Sequence, residues 1–244
     1  MLCLTEMTKK QKIKLTVVDQ SPVRKGGTSS DALRESVELA TCVEKIGYSR
    51  YWVAEHHNSS SFSGTSPEIL IGQIAAKTKH IRVGSGGVML SHYSALKVAE
   101  QFSVLDSFYP DRVDLGIGRA PGSDRRTAAA LTYPRPTMDV YHDFPQMVRD
   151  LADFLNGGIK DGNPLSGIVA HPGSQNNSSP RIWLLGSSDY SAKLAAEMGL
   201  PFSFADFFGN TSEYGPQICN MSVSYTHLRA HETDSYLVCR LLLE

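Results

Sequence analysis

Residues able to do chemistry fall at four places along the chain. Glu55, His56 and His57 are consecutive. Neighbouring side chains on a strand face opposite sides, so unless the strand has already ended or bulged only one of the two imidazoles can enter a given pocket and the other is expected to be structural. An imidazole changes charge near neutral pH and can carry a proton. The same three residues could instead form a hydrogen-bonded rim, and a metal site lacks a visible third ligand nearby. Gly86 and Gly87 follow a β-branched stretch, where glycines either turn the chain tightly or let a flat ring approach the backbone. Arg119 stands among Gly116, Gly118 and Gly122; a guanidinium beside small residues suits two-pronged capture of a phosphate, or else a surface ion pair. Ser187, Ser188 and Ser191 sit at a strand-to-helix junction, where hydroxyls and free N–H groups can hold an anion or cap a helix.

The elements that must position these residues follow from periodicity. Ile13, Leu15 and Val17 alternate into a turn-rich stretch, which predicts a first strand. Thr28 and Asp31 have capping-box spacing, and Leu33, Val37, Ala40 and Val43 recur at helical intervals before Gly47. A second strand is expected over Tyr51–Ala54. Ser66 and Pro67 then open a helix, followed by strands over Ile81–Ser85 and Val113–Ile117 with a helix Ser94–Phe108 between them. A further helix lies within Tyr141–Leu155. The stretch from Asn156 to Pro180, rich in Gly, Asn, Ser and Pro, reads as a long surface loop. Ile182–Leu185, a helix Ser191–Met198 ending at Gly199, and Phe202–Ala205 complete the pattern. Regular alternation of strand and helix predicts a parallel α/β sheet, doubly wound or closed as a barrel. The absence of G-x-G-x-x-G after the first strand weighs against a dinucleotide-binding doubly wound fold.

Composition excludes little but points the same way. A chain of 244 residues with 41% hydrophobic content can build a sizeable core. Its net charge of -1 gives no reason to expect nucleic acid or an anionic membrane as partner. Cys3, Cys42, Cys219 and Cys239 are scattered and read as reduced thiols, and no apolar run resembles a signal peptide or membrane span. A cytoplasmic protein acting on a small molecule is the expectation. Trp52 and Trp183 read as packing residues, and Asp19 and Gln20, at the end of the first strand, are expected to face the same pocket as the motifs above.

Four stretches taken together carry a family resemblance: residues 51–57 (YWVAEHH), 81–90 (IRVGSGGVML), 114–122 (DLGIGRAPG), and 183–188 (WLLGSS) followed by Ser191, Ala195 and residues 199–201 (GLP). Each lies at the C-terminal end of an expected strand, where barrel enzymes place their chemistry. Over about Leu15 to Phe208 the chain resembles the bacterial-luciferase-like flavin-dependent oxidoreductases, particularly their single-gene monooxygenase branch. The resemblance implies a (β/α)8 TIM barrel of which about six of eight strands are present. It also implies reduced FMN and O2 as co-substrates for oxygenating a small organic molecule, in the manner of an alkanal monooxygenase. His56 then matches the histidine near the reactive edge of the flavin, Gly86 and Gly87 match a non-proline cis peptide against its ring, and Arg119, Ser187, Ser188 and Ser191 match positions that hold its phosphate. No metal is implied. Expected partners are a separate NAD(P)H:flavin reductase and a second copy of the chain, for which the exposed face of the early helices is a candidate surface. The rivals are a deazaflavin-dependent dehydrogenase of the same superfamily, a noncatalytic flavin-binding barrel, and a metal-dependent hydrolase built on Glu55, His56 and His57.

The resemblance stops after about Met221. Residues 223–233 and 237–244 match, in one frame and with an index-sized gap, a translated sequencing adapter. The expected division is therefore 1–221, a partial barrel domain, and 222–244, a non-native tail. The metal-like pair His227 and His231 is discarded with the tail. A partial barrel of this kind is expected to be poorly soluble.

Overall fold

The strands of this protein are short and mostly buried, and the helices that follow them cover one side of the sheet. The computed structural model describes residues 14–120, 122–134, 140–173, 178–206 and 214–226. In chain order the elements are β1 (Thr16–Asp19), α1 (Ser29–Lys45), β2 (Arg50–Val53), α2 (Pro67–Lys77), β3 (Arg82–Met89), a 3-10 turn (Leu90–His92), α3 (Ala95–Phe108), β4 (Val113–Gly118), α4 (Arg125–Thr132), α5 (Val140–Leu155), β5 (Arg181–Gly186), α6 (Asp189–Met198), β6 (Phe202–Phe204) and α7 (Gly215–Thr226). The strands form one parallel sheet in the order β1-β2-β3-β4-β5-β6. Sequential order with a helix after each strand is the topology of a TIM barrel, and six strands make a half-barrel whose edges are β1 and β6.

Alternation along the strands sorts the core into two faces. Val17, Tyr51, Val53, Val83, Val113, Leu115, Ile117, Ile182 and Leu184 pack under the helices. Val18, Trp52, Ala54 and Trp183 form a separate cluster with Leu185 on the inner face, so the two tryptophans are packing residues of the barrel interior.

Local chemistry explains most element boundaries. The Thr28 hydroxyl accepts from the Asp31 N–H, while the Asp31 carboxylate accepts from the Thr28 N–H, closing the capping box of α1. Thr28→Ala is expected to cost about 1 kcal/mol, readable as a lower urea midpoint with an unchanged slope. Ser66 and Pro67 open α2 as expected, although Ser66 makes no side-chain cap bond. Gly199 ends α6 in the left-handed region, φ +65°.

Three expectations are corrected. Strand one begins later than the Ile13-Leu15-Val17 alternation implies: Leu15 precedes β1 and is 46% exposed, and Ile13 lies outside the described residues. The buried face of α1 is Ala32, Ser36, Ala40 and Val43, so Ala40 and Val43 stand where expected and Val37 packs half-buried on the core, but the first turn is buried through Ala32 and not Leu33. Leu33 instead lines a groove with Ile69 between α1 and α2. The stretch after Leu155 contains no strand or helix among its described residues, yet Ile159 and Ala170 are buried, so it packs on the core as well as running over the surface. Residues 227–244, with His227 and His231, lie outside the described residues.

Charged clamps hold the N-terminal ends of the strands. Glu44 accepts N–H bonds from Lys79, His80 and Ile81 at 2.8, 2.7 and 2.9 Å. Partial burial opposes its ionisation, but these donors and nearby Arg112 hold its carboxyl below the usual range. Arg112 donates in turn to Ala75, Thr78 and Ile81 carbonyls. Among the described residues no helix is long and apolar enough to cross a membrane.

Candidate active site

At the C-terminal ends of the strands, register brings the sequence motifs side by side. Gly86 lies opposite Gly116, which lies opposite Trp183, and the β3–β4 ladder shifts register between Gly86 and Val88. The Gly86–Gly87 peptide is cis. Side chains do not fit here. A Cβ on Gly116 would stand 2.1 Å from the Ser85 carbonyl oxygen, and one on Gly87 would stand 2.7 Å from that of Gly116. One on Gly86 would crowd Trp52 and Val18 at 3.2 and 3.3 Å. The result is a bare patch of backbone bordered by Trp52, Trp183, Val18 and Leu185, with the two indoles edge to face at 5.3 Å. Such a surface suits the flat face of an aromatic ligand.

β2 ends at Val53, so His56 and His57 lie beyond the reach of strand alternation, and their surroundings differ for local reasons. His57 Nε2 lies 2.7 Å from Glu55 Oε1, which also accepts from the Tyr93 hydroxyl at 2.6 Å. His57 is therefore tied into a structural network. Burial, reinforced by Glu55, raises the Tyr93 phenol above its ordinary value. His56 is half-buried at the exit of β2; its N–H donates to the Gly64 carbonyl at 2.8 Å and its ring lies 4.9 Å from Phe62. Next along the loop, Asn58 donates to Thr127 Oγ1 at 3.0 Å, so α4 docks onto the segment that follows the histidines. Asp124 caps α4, and its bonds to the Thr127 hydroxyl and N–H push its carboxyl down to about 2.

A second cluster forms one step further along β4 and β5. The Arg119 guanidinium carbon lies 4.3 Å from the centre of the Tyr190 ring, and Tyr190 belongs to the first turn of α6. Ser188 is the residue that caps α6, with extended backbone and no cap hydrogen bond from its side chain. Ser191 is buried, its Oγ packed against Gly186, where a Cβ would come within 2.5 Å. Arg119 thus lies beside the first turn of α6, whose cap is Ser188; a guanidinium next to a helix N-terminus would suit a phosphate, and the bare backbone patch would suit the flat ring of a flavin-type cofactor.

Asp19 does not face this pocket. Its carboxylate accepts from the Ser21 N–H at 2.8 Å and the Tyr51 hydroxyl at 2.7 Å, and Tyr51 lies on the helix side of the sheet. Position 19 shares its face with Val17, so it falls outward by alternation.

Sequence reading missed the charged floor beneath the indoles. Asp114 is fully buried and accepts from Arg50 Nε at 3.0 Å, Trp52 Nε1 at 3.0 Å, and Arg82 Nε and Nη2 at 2.9 and 2.7 Å. Arg50 and Arg181 also lie 5.0 and 5.1 Å from the Trp183 ring centre. An aspartate between Val113 and Leu115 was the available signal, since alternation places it on the inner face. Among the described residues no group of three His, Cys, Asp or Glu side chains could hold a metal ion.

Comparison with known proteins agrees with this geometry. A family model described as luciferase-like monooxygenase matches residues 13–218. A protein of Escherichia coli (strain K12) named luciferase-like monooxygenase is 44% identical over 196 residues, 80% of this chain and 56% of its own length. The N-acetyl-S-alkylcysteine monooxygenase of Bacillus subtilis (strain 168) is 41% identical over 203 residues, 82% and 59% respectively. The crystal structure of apo-MsnO8 superposes with a TM-score of 0.79 at 38% identity, covering 94% of this chain and 65% of that one. The FMN complex of the oxygenating constituent of 3,6-diketocamphane monooxygenase from Pseudomonas putida shares the fold, with a TM-score of 0.72 at 16% identity, covering 92% and 65%. The chain thus spans between half and two thirds of the length of these proteins.

Proposed function

Since the chain belongs to the luciferase-like monooxygenase family, we propose that it is the flavin-holding portion of an enzyme that uses reduced FMN and O2 to oxygenate a small organic substrate. The observation that carries this reading is the spacing of the two clusters. Three residue steps of extended chain lead from Gly116 in the bare patch to Arg119 beside α6, about 10 Å, a span suited to a ring at one end and a phosphate at the other.

Bound reduced FMN would supply the reaction with O2. Arg119, Ser187, Ser188 and Ser191 hold the phosphate, with the N-terminus of α6 adding its dipole. The Gly86–Gly87 backbone seats the ring, and Trp52, Trp183, Val18 and Leu185 keep water from its inner side. His56, at the exit of the adjacent strand, gives and takes the proton that oxygen transfer requires. A separate NAD(P)H:flavin reductase delivers the reduced flavin, and the enzyme acts as a homodimer.

Oxygen uptake with enzymatically reduced FMN tests the reaction class in the protein completed to the length of its relatives. The substrate screen begins with small thioethers, because one relative is named for N-acetyl-S-alkylcysteine. Product carrying one atom from labelled O2 is the expected outcome. Hydride exchange with a deazaflavin and no oxygen uptake would overturn it in favour of a dehydrogenase, and FMN retention without any turnover in favour of a binding protein.

A further inference from the structure

The hydrogen-bond ladder between β2 and β3 ends at the pair Val53 and Ser85, before the residues that matter most. His56 lies three positions past that pair on one strand, and the Gly86–Gly87 peptide lies just past it on the other. Among the described residues, a side chain takes over from the ladder there. Glu55, 1% exposed, reaches across to accept the Met89 N–H on Oε2 at 2.9 Å, a contact between residues 34 apart in sequence. Its Oε1 accepts the Tyr93 hydroxyl, 38 residues away, and faces His57 Nε2. The loop after β4 rests on the same clamp: a Cβ on Gly122 would stand 3.1 Å from Met89 Cγ and 3.2 Å from the Glu55 carbonyl oxygen. Two strand exits thus share one buried carboxylate, and the third packs against the two residues it joins.

We propose that Glu55, held by Tyr93, is a positioning residue that sets the distance between His56 and the Gly86–Gly87 ring seat. This rests on the flavin reading above. A carboxylate suits the task because both oxygens accept; with an amide in its place the Tyr93 hydroxyl would have to turn from donor to acceptor, and the charge facing the His57 ring would be lost. The carboxylate's anchors are a main-chain N–H and a half-buried phenol on the following segment, so the clamp is stiff where the ladder is absent. The Arg119–Tyr190 contact of the phosphate cluster involves neither Glu55 nor Tyr93, which predicts a division of effects.

Glu55→Gln and Tyr93→Phe, made in the full-length protein, test the division. Both are expected to bind FMN with a Kd within about threefold of wild type, because the phosphate anchor is intact, and to show an altered absorption spectrum of the bound flavin. Turnover should fall about tenfold or more in kcat with little change in the KM for reduced FMN, the signature of misplaced groups. The double variant should be no worse than either single one, since the two side chains act as a unit. Glu44→Gln, at the opposite ends of the strands, serves as the control: it should lower the melting temperature and leave the flavin spectrum and kcat as in wild type. Variants at Glu55 and Tyr93 that behave like the control, melting earlier with wild-type spectrum and kcat, would overturn the positioning role while leaving the flavin reading in place. A wild-type protein that leaves the spectrum of added FMN unchanged would overturn the flavin reading itself.

Discussion

Asp114→Ala is expected to destabilise the fold by about 3–5 kcal/mol, as removal of one partner from a buried ion pair does. The carboxylate is fully buried and takes bonds from Arg50, Arg82 and the Trp52 indole. Its loss takes away the buried carboxylate shared by Arg50 and Arg82, which lie opposite each other in the register. Asp114→Asn keeps the shape and part of the bonding and should cost less. Equilibrium denaturation of the two variants beside wild type provides the measurement. Equal midpoints for all three would mean that the arginines repartner without loss and that the aspartate is dispensable.

Arg119→Ala is expected to weaken FMN binding by about 10- to 100-fold, the equivalent of one or two charge-assisted hydrogen bonds. Riboflavin, which lacks the phosphate, should bind wild type and variant alike. Fluorescence titration with the two flavins separates the possibilities. A parallel loss for riboflavin would assign Arg119, stacked on Tyr190, to shaping the ring pocket instead of gripping the phosphate.

What the sequence disclosed and what it concealed divide along physical lines. Local signals were legible: Thr28 and Asp31 lie three residues apart and form the box their spacing implies, and Pro67 and Gly199 punctuate helices where expected. Helix α4 escaped notice because Arg125–Thr132 holds a short run of alanines with little apolar periodicity, and Thr132 is its one buried residue. The separate surroundings of His56 and His57 could not be read from strand alternation, because β2 ends at Val53, nor could the partners of Glu55: Tyr93 and Met89 reach it from another strand exit. Asp19 was misplaced because its position at the end of a strand was read without its parity, which Val17 and Tyr51 reveal as outward. The charged floor was hidden because Arg50, Arg82 and Asp114 lie on three different strands, and an arginine at the head of a strand reads as a solvated end until topology turns it inward.

That floor divides labour within each strand. The entry half of the sheet is locked by Asp114, Glu44 and their arginine and main-chain partners, whereas the exit half ends in glycines and loops. Evolution, or a laboratory imitating it, can therefore rewrite the exit loops to recruit new substrates while the scaffold's foundations stay untouched. Randomised libraries confined to residues beyond each strand's last hydrogen-bonded pair should retain a higher proportion of folded members than libraries of equal size spread over strand entries.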